Sequence, residues 1–414
     1  MRRPAPPYLD FDPATRRLRL DPHQERFVQN PYEAYRWLHG QGSTFFWEDF
    51  GLWCFGGFED VGRLLRDRRL GRQNPRGIPD RIAGHDRHLE DFDAIEIHSM
   101  LELEPPAHTR LRTLVNRAFV SRQIERLRPA IEALAGERLD GLEPGRQVDL
   151  LAAFASPLPI AIIAGLLGVP LGMGPQLVEW SHQMVAMYIH GRTRSAEEAA
   201  NRAARAFAGF LRAHIAERRK QPGDDLLSAL IAAQANGQML SEDELVSSTI
   251  LLLNAGHEAT VHQIGNAIAC ILAQGGDPRR FFMTPEASAA TIEECLRFDP
   301  PLHMFTRYVY DGLHDGGIEV APGGQVGLLL GMANHDPRSF VDPSRFLPER
   351  PDQKNLSFGA GIHFCVGAPL ARLELQTGLS VLFHRLPKLR IVEPPRYRDS
   401  YHFHGLERLR VETR

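Results

Sequence analysis

Phe358–Gly359–Ala360–Gly361–Ile362–His363–Phe364–Cys365–Val366–Gly367 sets one cysteine in a glycine-rich loop directly before a helical run, Ala368–Leu382. A lone thiolate held in this way suits an iron ligand. Glycine at 359 and 361 permits positive φ and close backbone approach to a flat ligand. Gly367 lets the next helix start tight against the loop, and N–H groups at a helix N-terminus stabilise anionic sulfur. Phe358 and Phe364 would keep water away. Taken alone, Cys365 reads more plainly as a buried free cysteine, since most intracellular cysteines behave as small apolar residues. The order F-G-x-G-x-H-x-C-x-G around it argues against that plainer reading.

The remaining sequence bounds the setting. A chain of 414 residues has room for two or three domains. No repeat, low-complexity tract or Pro/Gly/Ser linker divides it, so it reads as an N-terminal extension, 1–29, and one domain, 30–414. A hydrophobic content of 43 % with 24 % charged residues is that of a soluble globular protein with a large core. The formal net charge of −3 gives no pull toward nucleic acid or anionic membrane. Cys54, Cys270, Cys295 and Cys365 form no C-x-x-C pair, which argues against a disulfide framework or a zinc site and fits a reducing cytosol. Met1–Asp10 has no apolar h-region, so the chain is placed in the cytoplasm. Leu150–Leu171 is uncharged and long enough to span a bilayer. Pro157 and Pro159 interrupt it and no aromatic belt flanks it, so it reads as a core helix with an irregular start.

The pattern is mainly helical, with short β runs near both ends. Pro31–Gly40, Pro106–Phe119, Gln123–Leu139 and Arg194–Lys220 read as helices, and Thr44–Phe55 as a hairpin with Gly51 in its turn. Asn74–Glu96, mixing Gly, Pro and charge, reads as a long irregular loop. Ser241 and Glu244 form a capping-box signature, after which apolar residues continue to about Ala273. A helix of that length runs about 45 Å, enough to cross the molecule.

Three constellations accompany the cysteine. Glu294 and Arg297 lie at i, i+3 on one helix face; an exposed pair of this kind is worth well under ~1 kcal/mol. They are followed by Asp299–Pro300–Pro301, by Arg307, by Asn334–His335–Asp336–Pro337, and by Asp342–Pro343–Ser344–Arg345–Phe346–Leu347–Pro348–Glu349–Arg350. His108 and Arg112, on a helix started by Pro105 and Pro106, share a face at i, i+4. That face is either a solvated basic surface or a site for carboxylates, which arginine matches bidentately. In Leu251–Leu252–Leu253–Asn254–Ala255–Gly256–His257–Glu258–Ala259–Thr260 an acid sits in an apolar run, costly unless paired, hydrated or turned to solvent. Ala255 and Gly256 are small enough for a flat group to lie against the helix, and could let its hydrogen bonding open locally.

In order and spacing these segments resemble the cytochrome P-450 family over the chain from Asn30 to its end. They match its C helix, its oxygen-side helix, its E-x-x-R helix with the meander, and its haem-binding loop. The resemblance implies a mainly α fold with a smaller β-rich part in a single large domain. It also implies haem b, iron protoporphyrin IX, with Cys365 as axial ligand to the metal, a thiolate that favours O–O cleavage. By the same resemblance, His108, Arg112, Arg307 and His363 hold the haem propionates. Phe358, Gly359 and Ala255 contact the haem. Glu294, Arg297 and Arg350 form a buried triad that fixes the cysteine loop, and Glu258 delivers protons with water and Thr260.

One departure stands out. The family pattern A-G-x-(D/E)-T has threonine directly after the acid, where this chain has Ala259. Thr260 is one residue late, about 100° around the helix. Some family members that make natural products carry alanine here and use a substrate hydroxyl or ordered water instead.

The activity implied is a monooxygenase that hydroxylates or epoxidises a mid-sized, mostly apolar small organic substrate. Electrons would come from NAD(P)H through a ferredoxin reductase and ferredoxin, since the chain carries no flavin or nicotinamide fingerprint. Arg110, Arg117 and Arg122 are expected to face that acidic partner. The chain is expected to act as a monomer, with neither nucleic acid nor membrane. A peroxide-driven haem-thiolate enzyme and a non-catalytic haem sensor or carrier are the alternatives. The pocket is expected to draw on Asn74–Glu96, Met184–His190, Asn254–Glu258, Leu302–Phe305 and Tyr401–His404, with Met184, Met187, Tyr188, Met304, Phe305, Phe403, His303, His402 and His404 as its distinctive residues.

Overall fold

The computed structural model describes residues 4–75, 87–118, 124–189, 191–233 and 237–413. Residues 76–86 of the expected long loop, Arg122 and His190 lie outside them.

A mixed seven-stranded sheet forms one side of the molecule. Its strands are β1 (Asp10–Asp12), β2 (Arg17–Arg19), β3 (Thr44–Trp47), β4 (Leu52–Phe55), β5 (Leu70–Gly71), β6 (Phe305–Val309) and β7 (Gln325–Leu328), in the order β1-β2-β3-β4-β7-β6-β5. The expected hairpin is β3–β4, with Thr44 opposite Phe55 and Gly51 at φ +65° in the turn. The stretch before Asn30 is built into this sheet, since β2 pairs in parallel with β3 and Phe27 is buried beneath. β4 and β7 run parallel, which brings the Phe305 region beside the N-terminal hairpin.

The larger part is helical and includes α1 (Ala107–Ala118), α2 (Pro157–Leu166), α3 (Gly174–Val185), α4 (Arg194–Lys220), α5 (Glu242–Ala273), α6 (Pro285–Phe298) and α7 (Ala368–Arg385), with Arg128–Asp140 also helical and packed against α7. α5 starts with both halves of the predicted capping box: Glu244 N–H donates to Ser241 Oγ (3.2 Å) and Ser241 N–H to Glu244 Oε2 (2.9 Å). From Leu245 onward it is buried on almost every side and packs against α2, α3, α4, α6 and α7. The uncharged Leu150–Leu171 stretch is a π turn, Leu151–Ala155, followed by α2 with Pro157 in its first turn. Among the described residues no helix is long and apolar enough to cross a membrane.

The expectation of irregular structure up to Glu96 fails at its end, where Glu90–Glu96 is helical. Phe92 and Ile95, three residues apart, bury one face of that turn against α4, and Phe92 N–H donates to Asn201 Oδ1 at 2.9 Å.

Candidate active site

The cysteine loop is held by a chain of buried polar contacts that begins on α6. Arg297 donates to Glu294 from Nε and Nη2, both at 2.8 Å, and Arg350 Nε lies 3.1 and 3.2 Å from the same two oxygens. Glu294 and Arg297 are only 4 % and 1 % exposed, so this is the buried triad rather than a surface pair. Arg297 Nη1 also donates to the carbonyl of Asn334 at 2.9 Å. The Asn334 side chain in turn bonds Leu356 N–H (2.8 Å) and Ser357 Oγ (2.9 Å), immediately before Phe358. Inside the loop, Cys365 N–H donates to Phe358 O at 3.0 Å. Gly359 and Gly361 take φ of +69° and +72°; a side chain at 361 would run into the Leu65 carbonyl.

Cys365 opens onto a cavity of about 730 Å³, which is also lined by Ala255, Gly256, Glu258, Ala259 and Thr260 of α5 and by His108 and Arg112 of α1. Burial pushes the thiol up, against the pull of the Gly367 and Ala368 N–H groups and the nearby Arg112. A metal ion would reverse that balance, because coordination deprotonates a thiol outright.

Two basic residues of this cavity wall, His108 and Arg112, have no anion paired with them among the described residues. Neither ring nitrogen of His108 has a hydrogen-bond partner, and burial, then His363, push the ring down to about 4. Among the described residues Arg112 has no carboxylate within ion-pair distance. Burial lowers it, opposed only by Cys365. Arg307, next to the lining residue Thr306 but not itself on the cavity wall, is 4 % exposed, among the described residues donates only to its neighbour's carbonyl (Thr306 O, 2.9 Å), and is pushed down to about 9 by burial and then by Arg72. His363 differs, being held at 2.9 Å by Glu104, with its ring centroid 4.5 Å from that of His108.

On α5, burial alone would raise the Glu258 carboxyl. His182, reaching over from α3, and His262, one turn along, outweigh it and hold it well below the usual carboxylate range. Their nitrogens lie 3.1 and 3.2 Å from its two oxygens. Glu258 is thus a buried, paired carboxylate at the cavity wall, not a solvent-facing residue.

A family model described as Cytochrome P450 matches residues 288–390. Cytochrome P450 107B1 of Saccharopolyspora erythraea is 37 % identical over 413 residues, covering 98 % of both chains. The chain belongs to the cytochrome P450 family. The 6-deoxyerythronolide B hydroxylase of the same organism is 35 % identical over 87 % of this chain and 89 % of its own length. The solved structure of P450BioI, in complex with hexadec-9Z-enoic acid ligated acyl carrier protein, superposes with a TM-score of 0.86. It is 32 % identical and covers 94 % of this chain and 100 % of the solved one. Family membership makes this P450 an oxidoreductase with a haem-thiolate cofactor.

The residues present fit that cofactor. Its two propionates would meet His108 and Arg112, which have no carboxylate paired with them among the described residues, and its iron would meet a thiol in the same cavity.

Several expectations need correction. Gly256 lines the cavity as expected, but an added Cβ would sit 3.3 Å from Ile163 of α2, so its smallness also serves helix packing. Gly359 is not on the cavity wall; its positive φ and the nearby Phe305 ring account for it. Tyr188, Met304, Phe305, His402 and Phe403 line the cavity, whereas Met184, Met187, His303 and His404 do not. Arg110 pairs with Glu244 at the start of α5 and is not free for a partner protein.

Two features had gone unread. His182, on a separate helix, carried no local signal. Glu374 of α7 lines the cavity with Oε2 unpartnered, and burial pushes it well above the carboxylate range. An acid between Leu373 and Leu375 is the same signal that singled out Glu258.

Proposed function

We propose that this P450 hydroxylates or epoxidises a mid-sized, mostly apolar organic molecule, with electrons from a ferredoxin and its NAD(P)H-dependent reductase. The observation that carries the reading is one cavity joining the Cys365 thiol, the anion-seeking His108 and Arg112, and the paired carboxylate of Glu258. Haem, when bound, supplies the oxygen-activating chemistry of the family.

In this reading Cys365 would hold the haem iron through its thiolate, and the glycine loop keeps the sulfur on the cavity wall. Arg112 and Arg307 would neutralise the propionates, with His108 and His363, which Glu104 orients, as hydrogen-bond donors. Phe358 and Ala255 contact the haem and exclude water, while Gly359 shapes the loop that carries the ligand. Glu258 moves protons inward: His182 is half exposed, so it can load the carboxylate from solvent, and Thr260 and cavity water extend the route. Ala259 leaves a gap in that route where the family pattern has a threonine hydroxyl, so a substrate hydroxyl or an ordered water has to complete it. Ile95, Met100, Val185, Leu302 and Phe403 favour an apolar body, and Asn254 and His402 offer polar contacts for one end. On the loop's outer side Ile362 and Phe364 are exposed, which suits docking of an electron donor.

The test is reconstitution. The haem-loaded enzyme, a ferredoxin and its reductase should oxidise a ligand first found by its shift of the haem Soret band, and only with O2 and NAD(P)H present. Turnover with peroxide alone and none with the ferredoxin pair would overturn the proposed electron route. A Cys365→Ser variant that kept the thiolate-type spectrum of its reduced carbon monoxide complex would overturn the ligand assignment.

A further inference from the structure

Two clusters among the described residues bring histidines and a carboxylate together, one buried throughout and one open to solvent at a single histidine, and they differ in how much they leave unsatisfied. In the first, Asp299 accepts from the hydroxyls of Tyr32 and Tyr397, both at 2.6 Å, and faces His404 Nε2 at 3.2 Å. His303 Nδ1 there lies 2.8 Å from the Tyr35 hydroxyl. Both oxygens of that carboxylate are satisfied by the tyrosines, and only His404 Nε2 among Asp299, His303 and His404 is left without a hydrogen bond.

The second, His182, His257 and Glu258, leaves more unsatisfied. His257 is 1 % exposed, yet neither ring nitrogen has a hydrogen-bond partner; the Ser156 backbone comes near without completing one. Glu258 Oε2 is likewise without a hydrogen bond, although His182 Nε2 lies 3.1 Å and His257 Nδ1 3.9 Å away. One donor atom from each of the three residues lies within 4.8 Å of the others.

We propose that His182, His257 and Glu258 form a zinc site that clamps α3 to α5 beside the cavity. Zinc bonds to imidazole nitrogen and carboxylate oxygen are about 2.0 Å long, which sets ligand atoms about 3.3 Å apart in a tetrahedron. The spacings of 3.1 and 3.9 Å bracket that edge. Close, buried, out-of-line polar atoms are what a bridging ion would satisfy. The surroundings are those of a metal ligand set. His262 Nε2 lies 3.2 Å from the other oxygen of Glu258, orienting the carboxylate as outer-shell partners do. The His182 side chain is 45 % exposed, which gives the ion an entry path and leaves a fourth position for water. No cysteine takes part, so cysteine spacing carried no trace of the site. Zinc here would also hold Glu258 and inhibit turnover. That consequence, unlike the binding itself, rests on the proton-delivery role proposed above.

The test is calorimetric titration of Zn2+ into the EDTA-washed, haem-loaded enzyme. One ion per chain is expected, with affinity falling about tenfold or more in His182→Ala. It should be unchanged in His23→Ala, which removes an exposed histidine paired with Asp399. X-ray absorption at the zinc edge should show nitrogen and oxygen ligands with no sulfur. Absence of saturable one-to-one binding, undiminished binding by His182→Ala, or a sulfur ligand would each overturn the site. Tight binding with undiminished turnover would leave the site standing and overturn the role given to Glu258.

Discussion

Replacing Glu294 with glutamine isolates the charge of the buried triad while keeping its shape. In the native protein the carboxylate receives Arg297 twice at 2.8 Å, Arg350 Nε at 3.1 and 3.2 Å, and Leu347 N–H at 2.7 Å. Removing one partner of a buried ion pair costs ~3–5 kcal/mol, because the other charge is stranded. Arg297 keeps the carbonyls of Asn334, Pro343 and Arg345, and Arg350 keeps those of Asp342 and Arg345. The cost therefore falls at the lower end, about 3 kcal/mol. An unfolding entropy of about 2.1 cal/mol/K per residue gives a chain of this length ~0.9 kcal/mol/K, so Tm should fall by about 3 °C.

The comparison is Asp140→Asn, which breaks the exposed Arg385–Asp140 pair (2.6 Å). A pair of that kind is worth ~0–1 kcal/mol, and the shift should be at most about 1 °C. Both variants would be melted at one heating rate, with haem absorbance and near-ultraviolet dichroism as probes, since a haem protein need not unfold in two states. The hydrogen bonds running from Arg297 through Asn334 to Ser357 add a second expectation: Glu294→Gln should lose haem faster to excess apomyoglobin. Equal Tm shifts in the two variants would refute the burial argument. A lowered Tm with unchanged haem loss would refute the link from the triad to the cysteine loop.

Three further outcomes are expected. Ala259→Thr restores a hydroxyl at the gap on α5, so product formed per NAD(P)H should rise for substrates that lack a hydroxyl near the oxidised carbon; unchanged or poorer coupling would refute the gap. Arg307→Met removes a buried cation with no carboxylate partner, and should stabilise the haem-free protein by ~1–2 kcal/mol while speeding haem loss. Thermal melts and haem transfer should therefore move in opposite senses, and movement in the same sense would tell against a propionate role. For Asp299, burial is outweighed by His404, Tyr32 and Tyr397, which hold it below the ordinary carboxyl value. A carboxyl depressed in the folded state contributes stability that is full above its unfolded pKa, about 3.9, and lost as pH falls through the lower folded value. The Tm gap between the native protein and Asp299→Asn should thus hold steady above about pH 5 and narrow as the pH falls below about 4, and a constant gap through that range would refute the linkage.

What could be read from the sequence was whatever lay within one element. The capping box at Ser241, the i, i+3 spacing of Glu294 and Arg297, and the glycines of the cysteine loop are local patterns, and local sterics and helix geometry translate them directly. Where a reading failed, a second element intervened. Arg110 offered a charge that Glu244 of α5 takes up. The turn Glu90–Glu96 looked too polar for regular structure until α4 covered Phe92 and Ile95.

The site shows the same limit from the other side. The i, i+4 spacing put His108 and Arg112 on one face, but spacing cannot tell whether a carboxylate waits there. Among the described residues none pairs with Arg112, and none pairs with Arg307, which is buried on a strand almost two hundred residues later. A missing partner is a property of everything packed around a charge, so it becomes visible only once the fold is assembled. The same holds for Glu258. The apolar run marked it as costly, and α3 decides its state by bringing His182 to 3.1 Å. An acid flagged by its helix but governed by a histidine from another helix is open to control at the contact between the two.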